Sequence, residues 1–249
     1  MQMKQSLALA MEIQQRLLPA GPPDMEELDV SGRSIYCDET GGDYYDFLDL
    51  SALSSHELGV AVGDVSGHGI PAALLMTAAR TLLRDRAAQL RTPSELMGQI
   101  NERLTVDSPP GQFMTLLYMV INTQEWTVRW ASAGHEPPMI YDPARRAFAD
   151  LTGGGIALGI KTGWDYEEYR QSGLTPGSLI VIGTDGIWET RDAEGRFFGV
   201  DAFKDVLLAH AEASASAICE AVLGALERFR SGTPQTDDVT LVVVKVPGN

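Results

Sequence analysis

The stretch that decides the fold is residues 58–69, which read LGVAVGDVSGHG. The run from Leu58 to Val62 is apolar and of strand length, so it predicts a buried strand. Asp64 follows between Gly63 and Val65, ahead of a glycine-rich turn. Because glycine lets the backbone turn sharply and leaves room beside a carboxylate, this stretch predicts a strand that ends on an acid.

The same pattern of a strand that meets an aspartate beside glycine or a second acid occurs in three further stretches. They are Gly41-Gly42-Asp43-Tyr44-Tyr45-Asp46, Gly183-Thr184-Asp185-Gly186 and Thr236-Asp237-Asp238-Val239-Thr240. Strand ends in a layered domain meet at one rim, where several carboxylates repel one another and have raised pKa values. A divalent cation removes that repulsion, and oxygen-only donors favour Mg²⁺ or Mn²⁺ over Zn²⁺.

Each acidic stretch taken singly is also explained by ordinary turn or loop polarity. Asp43 and Asp46 are three residues apart, so on a strand they face opposite sides, and we expect Asp46 to cap or pair locally. The four stretches together predict two metal ions bridged by one aspartate, a geometry that activates water for attack on phosphate.

The order of the segments predicts an α+β fold with largely antiparallel sheets and helices packed outside. Predicted strands lie at 28–37, 44–50, 58–62, 114–121, 126–132, 138–141, 165–171, 178–182 and 239–246, and predicted helices at 1–18, 71–90, 93–104, 200–210 and 214–229. Pro19 ends the first helix and a Gly-Pro-Pro break follows it. We therefore divide the chain into a linker or coiled-coil helix with its break at 1–23 and one domain at 24–249.

The first helix carries a short heptad seam. Its members are Met3, Leu7, Ala10, Gln14 and Leu17. A helix with such a seam either folds back onto the domain or forms a dimerising or signal-relaying stalk, and both alternatives stay open.

Composition excludes several classes of protein. Of the 249 residues, 44% are apolar and 21% charged, which excludes a disordered or fibrous chain. The net charge of 19 − 34 = −15 argues against nucleic acid or an anionic membrane as partner. No apolar run is long enough to span a membrane and no signal segment opens the chain. Two cysteines do not make a disulfide framework, so we expect a reducing cytoplasm.

Five motifs in order resemble the PPM-type metal-dependent serine/threonine phosphatases (protein phosphatase 2C-like), and most of all their bacterial sporulation and stress-response branch. They are GGDYYD at 41–46, GDVSGHG at 63–69, AGHEPP at 133–138, DGIWE at 185–189 and DDVT at 237–240. The opening IQQRLLP at 13–19 resembles the linker helix that precedes the domain in that branch. The resemblance spans about residues 10–246.

The resemblance implies an α-β-β-α sandwich of two mainly antiparallel sheets flanked by helix pairs, with two Mn²⁺ or Mg²⁺ ions. Asp64 would bridge the ions, and the backbone carbonyl of Val65 would complete one of them. Asp43 would stand beside that first ion, directly or through water, and Asp185 and Asp237 would hold the other. Water activated by the ions would attack phosphorus in line.

The resemblance also implies a substrate and a setting. The substrate would be phosphoserine or phosphothreonine on a partner, a STAS-domain anti-sigma-factor antagonist, whose dephosphorylation frees a sigma factor. The chain would be the output domain of a longer signalling protein, coupled through residues 1–18 to an upstream sensor or receiver module and able to dimerise through that helix.

Two positions depart from the eukaryotic members. Those proteins place a phosphate-clasping Arg four or five residues before the first motif acid, where this chain has Glu39 and Asp38, so phosphate binding falls to the ions and backbone amides. The larger members hold a third ion with an Asp where this chain has His135. His135 is instead a candidate proton donor to the leaving serine oxygen.

Two other functions compete with the phosphatase. A catalytically inactive docking module of the same fold is disfavoured by the four intact aspartates at 43, 64, 185 and 237. A nucleotide cyclase is disfavoured because the Gly-Gly-Asp signature of diguanylate cyclases continues with an acid and a Phe, where this chain has Tyr44 and Tyr45.

The stretch 189–200 is interpreted as a flap near the site.

Overall fold

The computed structural model of the protein describes residues 2–22 and 25–248. The chain divides into two units, each with its own sheet and helices. The first unit comprises Met1–Pro23, Asp38–His135 and Gly153–Gly173, and the second comprises Asp24–Cys37, Glu136–Thr152 and Leu174–Asn249.

The described residues form five helices and ten strands. The helices are α1 (Gln2–Gln15), α2 (Ile70–Ala87), α3 (Pro93–Asp107), α4 (Val200–Ala209) and α5 (Ala215–Arg230). The strands are β1 (Asp29–Ile35), β2 (Tyr44–Asp49), β3 (Glu57–Val65), β4 (Met114–Asn122), β5 (Thr127–Ala133), β6 (Met139–Asp142), β7 (Ala147–Asp150), β8 (Tyr169–Ser172), β9 (Leu179–Gly183) and β10 (Val239–Lys245).

The first unit contains an antiparallel sheet in the order β2-β3-β4-β5-β8, together with α1, α2 and α3. Helix α2 has a proline in its first turn, where the missing N–H costs nothing, and buries Met76, Ala79 and Leu83 at helical spacing. Thr92 caps α3 by accepting a hydrogen bond from the backbone N–H of Glu95 at 3.3 Å.

The second unit contains an antiparallel sheet in the order β1-β10-β9-β6-β7, with α4 and α5. All seven residues of β10 are buried, and Val239, Leu241 and Val243 pack in one core cluster with residues of α4 and α5. Buried Lys245 at its end donates to the backbone carbonyls of Ala211 and Ala213, at 2.9 and 2.7 Å. Cys219 of α5 is a free thiol whose pKa burial raises to about 11.

The α+β prediction, with mainly antiparallel sheets and a helix pair in each half of the chain, is confirmed. The sequence missed one strand, β7. Its residues Ala-Phe-Ala-Asp are mostly exposed and carry no apolar alternation. Only the antiparallel register with β6, which places Tyr141 opposite Phe148, defines it as a strand.

Helix α1 contacts the first unit through its C-terminal half. Gln14 is buried, Leu7 and Ala10 are half-buried, and Ile13 on another side is 56% exposed. Leu17, the last seam residue, is half-buried. The side chain of Met3, the first seam residue, lies outside those described. The predicted boundary at residue 23 stays a prediction. Within the described chain, every helix is too short or too polar to cross a membrane.

Candidate metal centre

Asp43 and Asp64 occupy opposite positions at one edge of the first sheet. Strands β2 and β3 pair with Tyr44 opposite Gly63, so the next pair outward in this register is Asp43 and Asp64. Asp43 is 1% exposed. Gly42 is needed beside it, because a Cβ at that position would lie 2.8 Å from the carbonyl oxygen of Val65. The first sheet therefore brings together the three groups that the resemblance assigns to the first ion.

His135 lies at the same edge. In the β3–β4 pairing Thr115 lies opposite Asp64, and in the β4–β5 pairing the next residue, Leu116, lies opposite Ala133. The Thr115 Oγ1 atom is 3.0 Å from Nδ1 of His135, which is 6% exposed. Sequence reasoning missed Thr115. The available signal was a hydroxyl residue near the start of an otherwise apolar strand.

Asp46 is fully buried and forms an ion pair with Arg84 of α2. Arg84 Nε donates to Oδ2 at 2.6 Å and Nη2 donates to Oδ1 at 2.7 Å. The Tyr44 hydroxyl donates to the same carboxylate at 2.6 Å, and burial followed by the Asp46 charge raises the pKa of Tyr44. Asp46 accepts the expected local bonds, from the Tyr44 hydroxyl and from the N–H of Phe47. The partner that donates two bonds, Arg84, lies 38 residues away in the sequence. The pair attaches α2 to the strand that begins directly after Asp43.

Gln14 of α1 forms hydrogen bonds with Gly41, two residues before Asp43. Its amide nitrogen donates to the carbonyl of Gly41 at 2.6 Å, and its amide oxygen accepts from the N–H of Gly41 at 3.1 Å. Arg80 of α2 donates to the carbonyl of Leu17 at 2.7 Å, so the turn that follows α1 is also bound to α2. Asp43 thus lies between two anchored positions, Gly41 and Asp46.

Asp185 and Asp237 lie at one edge of the second sheet. Thr184 N–H donates to the carbonyl of Thr240, and Thr240 N–H donates to Oγ1 of Thr184, both at 3.0 Å. This pairing extends the β9–β10 register by one residue on each strand. It therefore places Asp185, which follows Thr184, and Asp237, which precedes Val239 by two residues, at the same edge of the sheet. Gly186 is needed there, because a Cβ on it would overlap the carbonyl oxygen of Asp238.

The acids at the second edge interact unfavourably. Loss of surrounding water, followed by the charges of Asp185, Asp238 and Glu189, raises the pKa of Asp237. A hydrogen bond from the N–H of Asp238 at 2.8 Å opposes this shift. The Asp238 carboxylate accepts a hydrogen bond from the N–H of Cys37 at 2.8 Å, so this side chain binds the protein backbone. A cation beside Asp237 would offset the repulsion at this edge.

The predicted flap is a closed loop. Gly199 N–H donates to the carbonyl of Trp188 at 2.9 Å, and Phe198 N–H to that of Thr190 at 2.8 Å. Inside the loop the Asp192 carboxylate accepts from the N–H groups of residues 194 and 196 at 3.0 and 2.9 Å. The interpretation of this stretch as a flap near the site stays a prediction, and Asp192 was not singled out from the sequence.

The donor chemistry fits hard divalent cations, since both edges offer carboxylate and carbonyl oxygens and the second carries mutual repulsion. Among residues 2–22 and 25–248, no group of three or more His, Cys, Asp or Glu side chains is gathered to hold a metal ion. The assignment of Asp43, Asp64, Val65, Asp185 and Asp237 to two ions therefore stays a prediction.

Comparison with known proteins assigns the class of the chain. Residues 54–247 match the family described as Stage II sporulation protein E (SpoIIE). The chain belongs to this family, and its fold is that of PP2C-type phosphatase domains. The resemblance found in the motifs is confirmed.

Particular relatives agree with this class. The phosphoserine phosphatase RsbU of Bacillus subtilis is 29% identical over 98% of this chain and 71% of its own length. The SiaA-PP2C domain of Pseudomonas aeruginosa has the same fold, with a TM-score of 0.85, 24% identity and coverage of 98% and 97% of the two chains. The structure of the RsbU and RsbW domains of Rv1364c from Mycobacterium tuberculosis gives a TM-score of 0.74 and 27% identity over 93% of this chain and 63% of that one. RsbX in complex with magnesium matches with a TM-score of 0.67 and 18% identity over 90% and 98% of the chains.

Proposed function

We propose that this chain hydrolyses phosphoserine or phosphothreonine on a partner protein with the help of two Mn²⁺ or Mg²⁺ ions. The observation that carries the proposal is the placement of Asp43 opposite Asp64 at the end of β2 and β3, in a chain of the SpoIIE family. RsbU, a 29% identical relative, is a phosphoserine phosphatase.

The residues that would hold the ions are those of the two sheet edges. Asp43, Asp64 and the Val65 carbonyl would hold one ion and Asp185 and Asp237 the other, with Asp64 shared. When bound, the ions would lower the pKa of water and offset the charge of the phosphoryl oxygens. The magnesium in the RsbX complex supports an ion of this type in the fold.

His135 would protonate the leaving serine or threonine oxygen. Thr115 Oγ1 engages its Nδ1 at 3.0 Å, which fixes the ring and leaves Nε2 as the atom for proton transfer. A reaction of this kind predicts that His135→Ala lowers turnover and changes its dependence on pH between 6 and 9. Unchanged turnover across that range would remove His135 from the mechanism.

The proposed substrate is a phosphorylated STAS-domain anti-sigma-factor antagonist in the cytoplasm. Support comes from the resemblance to the stress-response branch and from the Rv1364c chain, which combines an RsbU domain with an RsbW domain. Phosphate release from a phosphorylated STAS-domain protein, compared with an unrelated phosphoserine protein, tests this substrate class.

Residues 1–18 would couple an upstream sensor or receiver module to the site, and could join two copies of the chain. The contact that supports coupling is the pair of bonds from Gln14 to Gly41, two residues before Asp43. Deletion of residues 1–18 should change both turnover and the oligomeric state measured by light scattering. No change in either would exclude this role.

The experiment that tests the activity is hydrolysis of p-nitrophenyl phosphate with Mn²⁺, Mg²⁺ or EDTA. Asp64→Ala and Asp185→Ala should each lower turnover by about 100-fold or more, since each removes a charge that organises the transition state. Asp107→Ala, an exposed acid on α3, is the matched control.

The same hydrolysis experiment, together with a measurement of metal binding, also tests the inactive docking module. A folded protein that neither binds metal nor turns over substrate would favour the inactive docking module. Metal binding without turnover would indicate a site that needs its partner or the upstream module.

A further inference from the structure

Phosphate recognition is the step of the proposed function for which the motifs provide no side chain. The positions of the phosphate-clasping Arg hold Asp38 and Glu39, which are acids. Asp38 accepts a bond from His68, 2.8 Å from its Nδ1. At the second sheet edge, Asp185, Asp237 and Glu189 add negative charge that repels a phosphate group. A protein cation near this edge would counter that repulsion.

Arg191 is placed to be that cation. It follows Asp185 by six residues, and it lines the same small cavity as Asp237 and Glu189. Its backbone pairs with Phe197 across the closed loop, and its guanidinium lies over the Phe197 ring, 4.1 Å from the centroid. Stacking on an aromatic face fixes the plane of a guanidinium and leaves the N–H donors at its edge available for an oxyanion.

The neighbouring arginines already have carboxylate partners. Arg196, in the same loop, pairs with Asp192 at 2.6 Å and with Glu194 at 2.9 Å. Arg230, which also lines the cavity, pairs with Glu227. Within residues 2–22 and 25–248, Arg191 has no ion pair with a carboxylate, and its ring contact is with the half-exposed Phe197.

We propose that Arg191 binds the phosphoryl group of the substrate. This role rests on the proposed phosphatase function and gives it a specificity residue on the loop after Asp185. The guanidinium would donate hydrogen bonds to the non-bridging oxygens of a phosphomonoester, a contact for which its planar fork is suited.

Kinetics with p-nitrophenyl phosphate and inorganic phosphate in Mn²⁺ test the proposal. Arg191→Ala should raise both the KM and the inhibition constant of inorganic phosphate by about tenfold or more, as expected for loss of a charge-assisted hydrogen bond. Arg191→Lys should restore part of the loss, because it keeps the charge without the fork. The Mn²⁺ concentration for half-maximal turnover should stay unchanged.

The matched control is Arg196→Ala. It removes the same charge from the same loop, and the bonds that Asp192 accepts from the backbone N–H groups of residues 194 and 196 remain. We expect less than about a twofold change in either constant, since the Arg196 side chain is 71% exposed and its charge is already paired with Asp192 and Glu194. Equal effects of Arg191→Ala and Arg196→Ala would overturn the proposal, because they would indicate a general charge effect.

Chemical modification gives a readout that does not depend on turnover. Inorganic phosphate with Mn²⁺ should slow the reaction of phenylglyoxal with Arg191, measured by mass spectrometry, and leave Arg170 unaffected. Arg170 is an exposed arginine on β8 and serves as the internal reference. Absence of protection at Arg191 would overturn the proposal. A wild-type protein that shows protection without turnover would retain the Arg191 site and count against the proposed phosphatase activity.

Discussion

The two sheet edges that carry the candidate ligands are stabilised in different ways. At the first, Asp43 is almost fully buried and lies between Gly41 and Asp46, which helices α1 and α2 hold by bonds that span 27 and 38 residues of sequence. At the second, short turns place several acids close together, and their charges raise the pKa of Asp237. The first edge is thus held by contacts from distant helices, whereas the second is held by local backbone bonds and gathers acids that a cation would stabilise.

The largest expected effect is on the anchored edge. Arg84→Ala leaves Asp46 buried without its principal partner. Loss of one partner of a buried ion pair costs about 3–5 kcal/mol, and we expect about 3 because Tyr44 and Phe47 still donate to the carboxylate. Urea unfolding of the variant measures this. The double variant Asp46→Asn, Arg84→Met should be less destabilised than Arg84→Ala alone, and an equal or larger loss would show that packing of α2, not the charge, is responsible.

The next effect is on the second edge and depends on metal. A ligand at 100 times its dissociation constant stabilises the folded state by about 2.7 kcal/mol, so saturating Mn²⁺ should raise the unfolding free energy by that order and EDTA should reverse it. Asp237→Asn should reduce the increase, because it removes a proposed ligand of one of the two ions. In EDTA the same substitution should leave stability unchanged or raise it by up to about 1 kcal/mol, because it removes one of several repelling charges. A marked loss of stability in EDTA would contradict the electrostatic difference between the two edges.

The close approach of Gly186 to the carbonyl of Asp238 predicts a third effect. Gly186→Ala should lower the unfolding free energy by about 2 kcal/mol, because the added methyl group overlaps the carbonyl of Asp238. Gly98→Ala is the control. Gly98 has open space around its Cβ position in α3, and alanine there should stabilise by up to about 1 kcal/mol through helix propensity. Similar effects of the two substitutions would show that the turn at 185–186 relaxes freely.

Removal of the α1 contact should have a smaller effect. Gln14→Ala deletes two hydrogen bonds to buried Gly41, and we expect a loss of about 1–2 kcal/mol. Gln15→Ala changes an exposed neighbour on the same helix and should be close to neutral. Differential scanning calorimetry of both variants compares them directly. Equal melting temperatures would mean that α1 does not stabilise the first edge.

The smallest effect concerns the loop. Arg196→Ala should change the unfolding free energy by no more than about 0.5 kcal/mol, because the Arg196 side chain is 71% exposed and the buried Asp192 carboxylate keeps its bonds from the backbone N–H groups of residues 194 and 196. The contrast with Arg84→Ala compares two arginines that pair with buried carboxylates, one 43% and the other 71% exposed. A loss above about 1 kcal/mol would show that the loop is part of the cooperative core.

Local sequence was sufficient for most elements. The helical spacing of α2, α3 and α5 and the apolar run of β10 are short-range patterns, and each element lies close to its predicted range. Strand β7 was missed because its few exposed residues gain their conformation from pairing with β6. The placement of the four acids at or next to strand ends was also predicted correctly, whereas Arg84 as a partner of Asp46 and Thr115 as a partner of His135 were not predicted.

The sequence by itself determined the family, the α+β class and the positions of the aspartates at or next to strand ends, because these depend on motif order, short-range periodicity and glycine next to an acid. The tertiary structure decided which residues hold those aspartates. Arg84 is 38 residues from Asp46, Gln14 is 27 residues from Gly41, and Thr115 is 20 residues from His135. Such contacts arise when the chain folds back and strand register brings distant positions together, and no local pattern encodes that distance.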